Sequence, residues 1–156
     1  MVLEIADWRF LVDPEETRRR TGENAKDHCP CAYCRNFYET VASAYPRLSI
    51  ALSLFGIDPM GPSELMPFTP TVLLACYRVQ GQIKRWGKST LTVGGIPISP
   101  ETADGESFFL WVGELELPWI QPEPSQEVFS PANQPAFLER MGRVWTFRHG
   151  PEFVCS

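Results

Sequence analysis

Between Asp27 and Cys34 the chain reads Asp-His-Cys-Pro-Cys-Ala-Tyr-Cys, which gathers three of its five cysteines and one of its two histidines. Residues of these types support three kinds of chemistry. Thiolates and imidazoles hold borderline-soft metal ions, zinc above all. Cys29, Cys31 and Cys34 would take three corners of a tetrahedron, with His28, Cys76, His149 or Cys155 as the fourth. The spacing departs from the usual zinc signature, because no second ligand pair follows: Cys76, His149 and Cys155 stand apart from one another. A dithiol at a helix N-terminus can instead exchange with disulfides, since backbone N–H groups and the helix dipole favour the attacking thiolate. Cys31-Ala32-Tyr33-Cys34 has that spacing, although no βαβ unit surrounds it. Finally, cysteine packs as a small hydrophobe. Cys31, Cys34, Tyr38, Val41 and Tyr45 step by three, four, three and four, one apolar stripe of a helix, and packing then explains two thiols with no cofactor. It leaves Cys29 and His28 unexplained.

The surrounding pattern predicts the elements that would hold this segment. Trp8 to Val12 reads as a strand that stops at Asp13-Pro14. Asp13 is a capping side chain, Pro14 suits a first helical turn, and Glu15 and Glu16 lie at the positive dipole end, so a short polar helix should run to about Gly22–Asn24. A second helix should start near Pro30 and break at Pro46, and a third should carry Leu48, Ala51, Leu52 and Phe55 up to a glycine cap at Gly56. Proline and glycine then interrupt residues 57–70, with one helical turn expected near Ser63-Glu64-Leu65. From Leu73 to Lys84 apolar and polar residues alternate, as in a strand with one wet face. Gly87-Lys88 reads as its hairpin turn, and Thr90 to Val93 as the returning strand. Gly94-Gly95 reads as a bulge or bend. Phe108 to Leu117 reads as a central strand. Beyond Pro118 the prolines at 122, 124, 131 and 135 predict an extended wrap, with a last helix over 135–145 presenting Phe137, Leu138, Met141 and Trp145. The expected fold is α+β: N-terminal helices on an antiparallel sheet with a proline-rich C-terminal wrap, one domain over 1–156.

Composition narrows the functional classes. With 14 Lys+Arg against 19 Asp+Glu, the net charge is −5, so the bulk attraction that drives binding to nucleic acid is missing. The basic run Arg18-Arg19-Arg20 follows Glu15 and Glu16 at helical spacing and reads as a solvated face with local ion pairs. No apolar stretch is long enough to span a bilayer, and Met1 to Asp7 lacks the pattern of a secretory signal. An odd cysteine count without such a signal points to reduced thiols and a cytoplasmic location. Gly94-Gly95 lacks the lysine and helix of a phosphate loop, and no nucleophile elbow or zinc-protease helix is present. His149 reads as incidental. Glu114 and Glu116, with Asp104 and Glu106, read as a solvated strand face rather than a carboxylate pair at work. Trp86 and Trp119 are the residues best suited to anchor a partner, although packing accounts for them as well.

The run Cys29-Pro30-Cys31-Ala32-Tyr33-Cys34-Arg35-Asn36-Phe37-Tyr38 resembles a segment of small uncharacterised bacterial proteins that share a Cys-x-Cys-x-Tyr-Cys-Arg-Asn-Phe core. Phe55-Gly56-Ile57-Asp58 and Leu117-Pro118-Trp119 are similar to the same group. The resemblance implies a domain of unknown function and carries no activity, substrate or cofactor. The residues themselves favour a non-catalytic binding domain that meets a protein partner and needs no cofactor. The alternative is a zinc-binding domain built on Cys29, Cys31, Cys34 and His28, or else a thiol redox protein.

Overall fold

Trp8-Arg9-Phe10-Leu11-Val12 is mostly apolar, and the chain there is a strand whose burial alternates, with Trp8, Phe10 and Val12 buried and Arg9 and Leu11 exposed. The computed structural model describes residues 1–27, 29–69 and 71–122. In chain order the elements are β1 (Val2–Ile5), β2 (Trp8–Val12), α1 (Pro14–Lys26), α2 (Ala32–Ala44), α3 (Pro46–Leu54), β3 (Glu64–Pro67), β4 (Val72–Arg85), β5 (Leu91–Val93), β6 (Ile96–Thr102) and β7 (Ser107–Glu116). The strands form one antiparallel seven-stranded sheet in the order β1-β2-β4-β7-β6-β5, with β3 added on β4. The fold is α+β, as the sequence predicts. No helix among the described residues is long and apolar enough to cross a membrane.

The helix boundaries follow from local chemistry. Asp13 accepts the Glu16 N–H at 3.0 Å, and Pro14 opens α1. The helix runs past the expected stop to Lys26; nothing crowds Gly22, and the residues that dock the helix lie in the turns before it. Those residues are threonines. Buried Thr17 donates to Asp13 O and accepts the Gln80 N–H, while buried Thr21 donates to Thr17 O and accepts the Asp58 N–H. A helix with almost no apolar face thus attaches to β4 and the 57–61 loop by satisfying their backbone. Between α2 and α3, Tyr45 sits in a non-helical conformation ahead of Pro46, as a residue before proline should.

β4 organises the sheet. Its first half pairs with β3 and β7, its second half with β2. The handover falls at Gly81, which has φ +145°, and a Cβ there would lie 2.0 Å from Leu11 O. Only glycine admits that close crossing of backbones. Side chains alternate across β4 between two apolar clusters. Leu73, Ala75, Tyr77 and Val79 join the main core with Phe10, Phe37, Leu52, Phe55 and Phe108, under the helices. Leu74 and Cys76 join Met66 and Trp111 in a second, smaller cluster.

Three local expectations are corrected. Gly87-Lys88 is not a hairpin turn, because β5 pairs with β6 and lies at the far edge of the sheet. The long apolar strand β7 takes the place beside β4, so the 86–90 connection crosses over instead. It is held by the β1–β2 turn: Asp7 accepts the Lys88 N–H at 2.6 Å, and Trp8 Nε1 donates to Ser89 O at 3.0 Å. The tight hairpin lies at Gly94-Gly95, whose φ values of +58° and +81° suit a two-residue turn between Val93 and Ile96. Ser63-Glu64-Leu65 forms no helical turn. Glu64 to Pro67 extends along β4, whose unpaired edge supplies more hydrogen bonds than one isolated turn could. The wrap beyond Pro122, the helix over 135–145, His149 and Cys155 lie outside the described residues.

Candidate metal centre

The connection from α1 to α2 delivers the cysteines. Asp27 closes α1, its N–H bonded to Asn24 O, and Cys31 opens α2. Cys34 follows on the first turn of α2 and is 1% exposed, on the face that carries Phe37 and Val41 into the main core. Cys29 and Cys31 are half-buried at its margin. The apolar stripe is therefore centred on Cys34, Phe37 and Val41. Tyr38 and Tyr45 sit at its border, and Cys31 serves as the cap rather than as a core residue.

The Sγ atoms of Cys29, Cys31 and Cys34 lie within 4.8 Å of one another. All three are present as thiols. In a tetrahedral thiolate site, zinc–sulfur bonds of about 2.3 Å hold the sulfurs about 3.8 Å apart, so a small inward movement brings these three onto one ion. The surrounding backbone is arranged to hold them. The Cys34 N–H points at Cys31 Sγ at 3.5 Å, and Arg35 Nη1 donates to Pro30 O at 2.7 Å, bracing the loop between Cys29 and Cys31. Contacts that orient ligands in this way are part of a metal site. The donor set is soft and anionic, and suits zinc far better than magnesium or calcium.

Not every sequence candidate joins the cluster. Cys76 belongs to the second apolar cluster, with Met66, Leu74 and Trp111, and is not brought to the other three. His28 lies outside the described residues. Trp119 is half-buried against Tyr33, with ring centroids 5.4 Å apart, whereas Trp86 is 52% exposed beside Trp8. Glu114 and Glu116 are exposed, and Asp104 pairs with Arg78. Backbone donation from Glu106, then the Ser107 hydroxyl, holds the Asp104 carboxyl below its usual pKa.

Residue order held no sign of the residues that seat the site against the sheet. Buried Asn36 donates to Pro118 O and accepts the Ile120 N–H, both at 2.9 Å. Arg35 Nε donates to Gln121 Oε1, and Gln121 in turn donates to Glu39. The Tyr45 hydroxyl both donates to Glu116 O and accepts the Glu116 N–H. Residues interleaved with Cys34 thus grip the chain where it leaves β7. Their partners are more than 70 positions away, so no local signal could have disclosed them.

A concavity of about 400 Å³ lined by Arg19, Arg20, Asn24, Ser63 and Arg78 is the other notable surface feature. Its guanidinium groups are matched by carboxylates: Arg19 by Glu16 and Glu23, Arg20 by Glu16, and Arg78 by Asp104. Charges neutralised in this way do not make an anion site. Within the Arg18–Arg20 run, Arg19 and Arg20 form the ion-paired helix face that the spacing predicts. No protein-family model, curated protein or solved structure matches the chain.

Proposed function

We propose that the chain is a zinc-binding domain in which Cys29, Cys31 and Cys34 hold the ion and His28, next in sequence to Cys29, completes the tetrahedron. The observation that carries this reading is the convergence of three sulfurs within 4.8 Å. Packing accounts for Cys31 and Cys34 at helical spacing, and the arrival of Cys29 at the same place is what a shared ion explains. A bound ion supplies a cross-link. It closes the α1–α2 connection onto the first turn of α2, and through Asn36 and Arg35 it steadies the chain at 118–121. The role is structural stabilisation.

Metal content by mass spectrometry, on protein purified without tag or chelator, tests the reading. About one zinc per chain with Cys29, Cys31 and Cys34 protected from alkylation supports it. A metal-free chain whose Cys29 and Cys31 alkylate at once defeats it. Loss of zinc in Cys34→Ser together with retention in His28→Ala would reassign the fourth ligand.

A second reading, a protein-interaction domain, draws on apolar side chains left in solvent. Ile50 (68% exposed) and Leu54 (49% exposed) lie one turn apart on α3, and Trp86 is also exposed. Such side chains serve as contact anchors. Sedimentation over a concentration series, comparing the native chain with Leu54→Lys, tests whether this face binds a second copy. Identical monomeric profiles for the two would remove that version of the reading.

A further inference from the structure

The three thiols differ in access. Cys29 and Cys31 reach solvent, whereas Cys34 is 1% exposed. A small oxidant entering the site therefore meets Cys29 or Cys31 first, and Cys34 can act only as the second partner. Geometry then selects between the two outer thiols. The Sγ of Cys31 lies over the first turn of α2, where it faces the Cys34 N–H. The Cys34 side chain leaves from that same turn; all three sulfurs lie within 4.8 Å of one another, so it is this shared helical turn that singles out Cys31. Two intervening residues also give the ring size that dithiol oxidoreductases use.

We infer that Cys31 and Cys34 form a peroxide-oxidisable pair whose disulfide ejects the bound ion, so that the metal centre also responds to oxidant. This inference rests on the metal reading above. The Cys31 thiolate attacks one oxygen of hydrogen peroxide. The O–O bond breaks, hydroxide leaves and Cys31 becomes a sulfenic acid. The Cys34 thiolate then attacks that sulfur, forms the S–S bond and expels a second hydroxide. Two electrons pass from the two sulfurs to the peroxide, and two protons from solvent convert both hydroxides to water. The ion, left with Cys29 alone of the three cysteines, dissociates into solvent. A thiol reductant reverses the change by returning two electrons and two protons to the sulfurs.

The experiment uses the full, reduced chain. Its zinc content is measured first and reports on the metal reading alone. Stoichiometric hydrogen peroxide is then added with a chromophoric chelator present, and the product is mapped by peptide mass spectrometry. The expected result is release of the zinc, the mass loss of two hydrogens on the peptide holding Cys31 and Cys34, and reversal by dithiothreitol. In the double variant Cys29→Ser, Cys34→Ser, which leaves no neighbouring thiol to resolve it, oxidation should stop at a sulfenic acid on Cys31 that dimedone traps. Cys29→Ser, which keeps the pair, should still form the disulfide. Zinc retained after peroxide with every thiol still titratable overturns the inference and leaves the metal reading standing, as does a disulfide mapped to Cys29 with the 31–34 pair intact. No zinc in the reduced chain overturns the metal reading, and the release with it.

Discussion

Cys34 stands at the meeting of two demands. Its sulfur is buried among Phe37 and Val41, where an unpaired thiolate would be expensive, yet it lies with two other sulfurs where a cation would be welcome. The native chain should therefore gain stability from zinc. At free zinc about a hundredfold above the dissociation constant the gain is about 2.7 kcal/mol. Thermal unfolding with zinc and with chelator reads it directly, and in Cys34→Ala the two curves should coincide. Gly56 is constrained by backbone instead. Its φ is +83°, and a Cβ would fall 2.0 Å from Pro14 O. Left-handed geometry alone costs alanine about 1–2 kcal/mol, and the clash adds to that, so Gly56→Ala should lose more than that range in urea denaturation. Asp7 provides a pH test. Donation from the Ser89 hydroxyl, and then from the Lys88 N–H, lowers its carboxyl from 3.8 to about 2. A depressed pKa means the contribution is complete above pH 4 and disappears as pH falls toward 2. Asp7→Asn should be less stable than the native chain at pH 6 and should converge with it near pH 2.

At the scale of elements, α2 does the most positioning. It starts at a cysteine cap, buries Cys34, Phe37 and Val41, and lies against residues 116–121 through Asn36, Tyr45 and Arg35. Asn36 substitutes for a missing strand neighbour by meeting one carbonyl and one N–H of that segment. Asn36→Ala removes both part-buried bonds, a loss of about 1–2 kcal/mol. Hydrogen exchange should show faster exchange at the Ile120 amide before global unfolding. Protection at Ile120 equal to that of the native chain would mean the segment is held by the Tyr33–Trp119 contact instead.

For the whole molecule, one aromatic cluster ties distant parts of the chain together. Phe10 of β2 is fully buried, stacks on Phe108 of β7 at 5.4 Å, and meets Phe55, which follows α3, edge-on at 5.3 Å. Phe10→Ala opens a cavity where three segments meet, with an expected cost of about 3–5 kcal/mol. The denaturation midpoint should fall with little change in slope. Phe10 shares the main core with Cys34 but is not among the proposed metal ligands, so zinc stoichiometry should survive the substitution wherever the chain remains folded.

The α+β class, the helix starts at Asp13-Pro14 and near Pro30, the break at Pro46, the strand at Trp8–Val12 and the Cys29–Cys34 segment could all be read from residue order. Capping side chains, proline restrictions and apolar periodicity act over a few residues, and they leave their mark within that window. The neighbour of β4, the crossing at Gly81, the strand role of Glu64 to Pro67 and the true hairpin at Gly94-Gly95 could not be read in this way. They depend on which apolar surfaces find each other across the chain, and a turn motif such as Gly87-Lys88 cannot decide whether its flanking strands will be adjacent. The cysteines divide along the same line. Their spacing offered packing, metal binding and redox exchange on local grounds, and only the folded path from Asp27 into α2 brought the three sulfurs together and left Cys76 in another cluster.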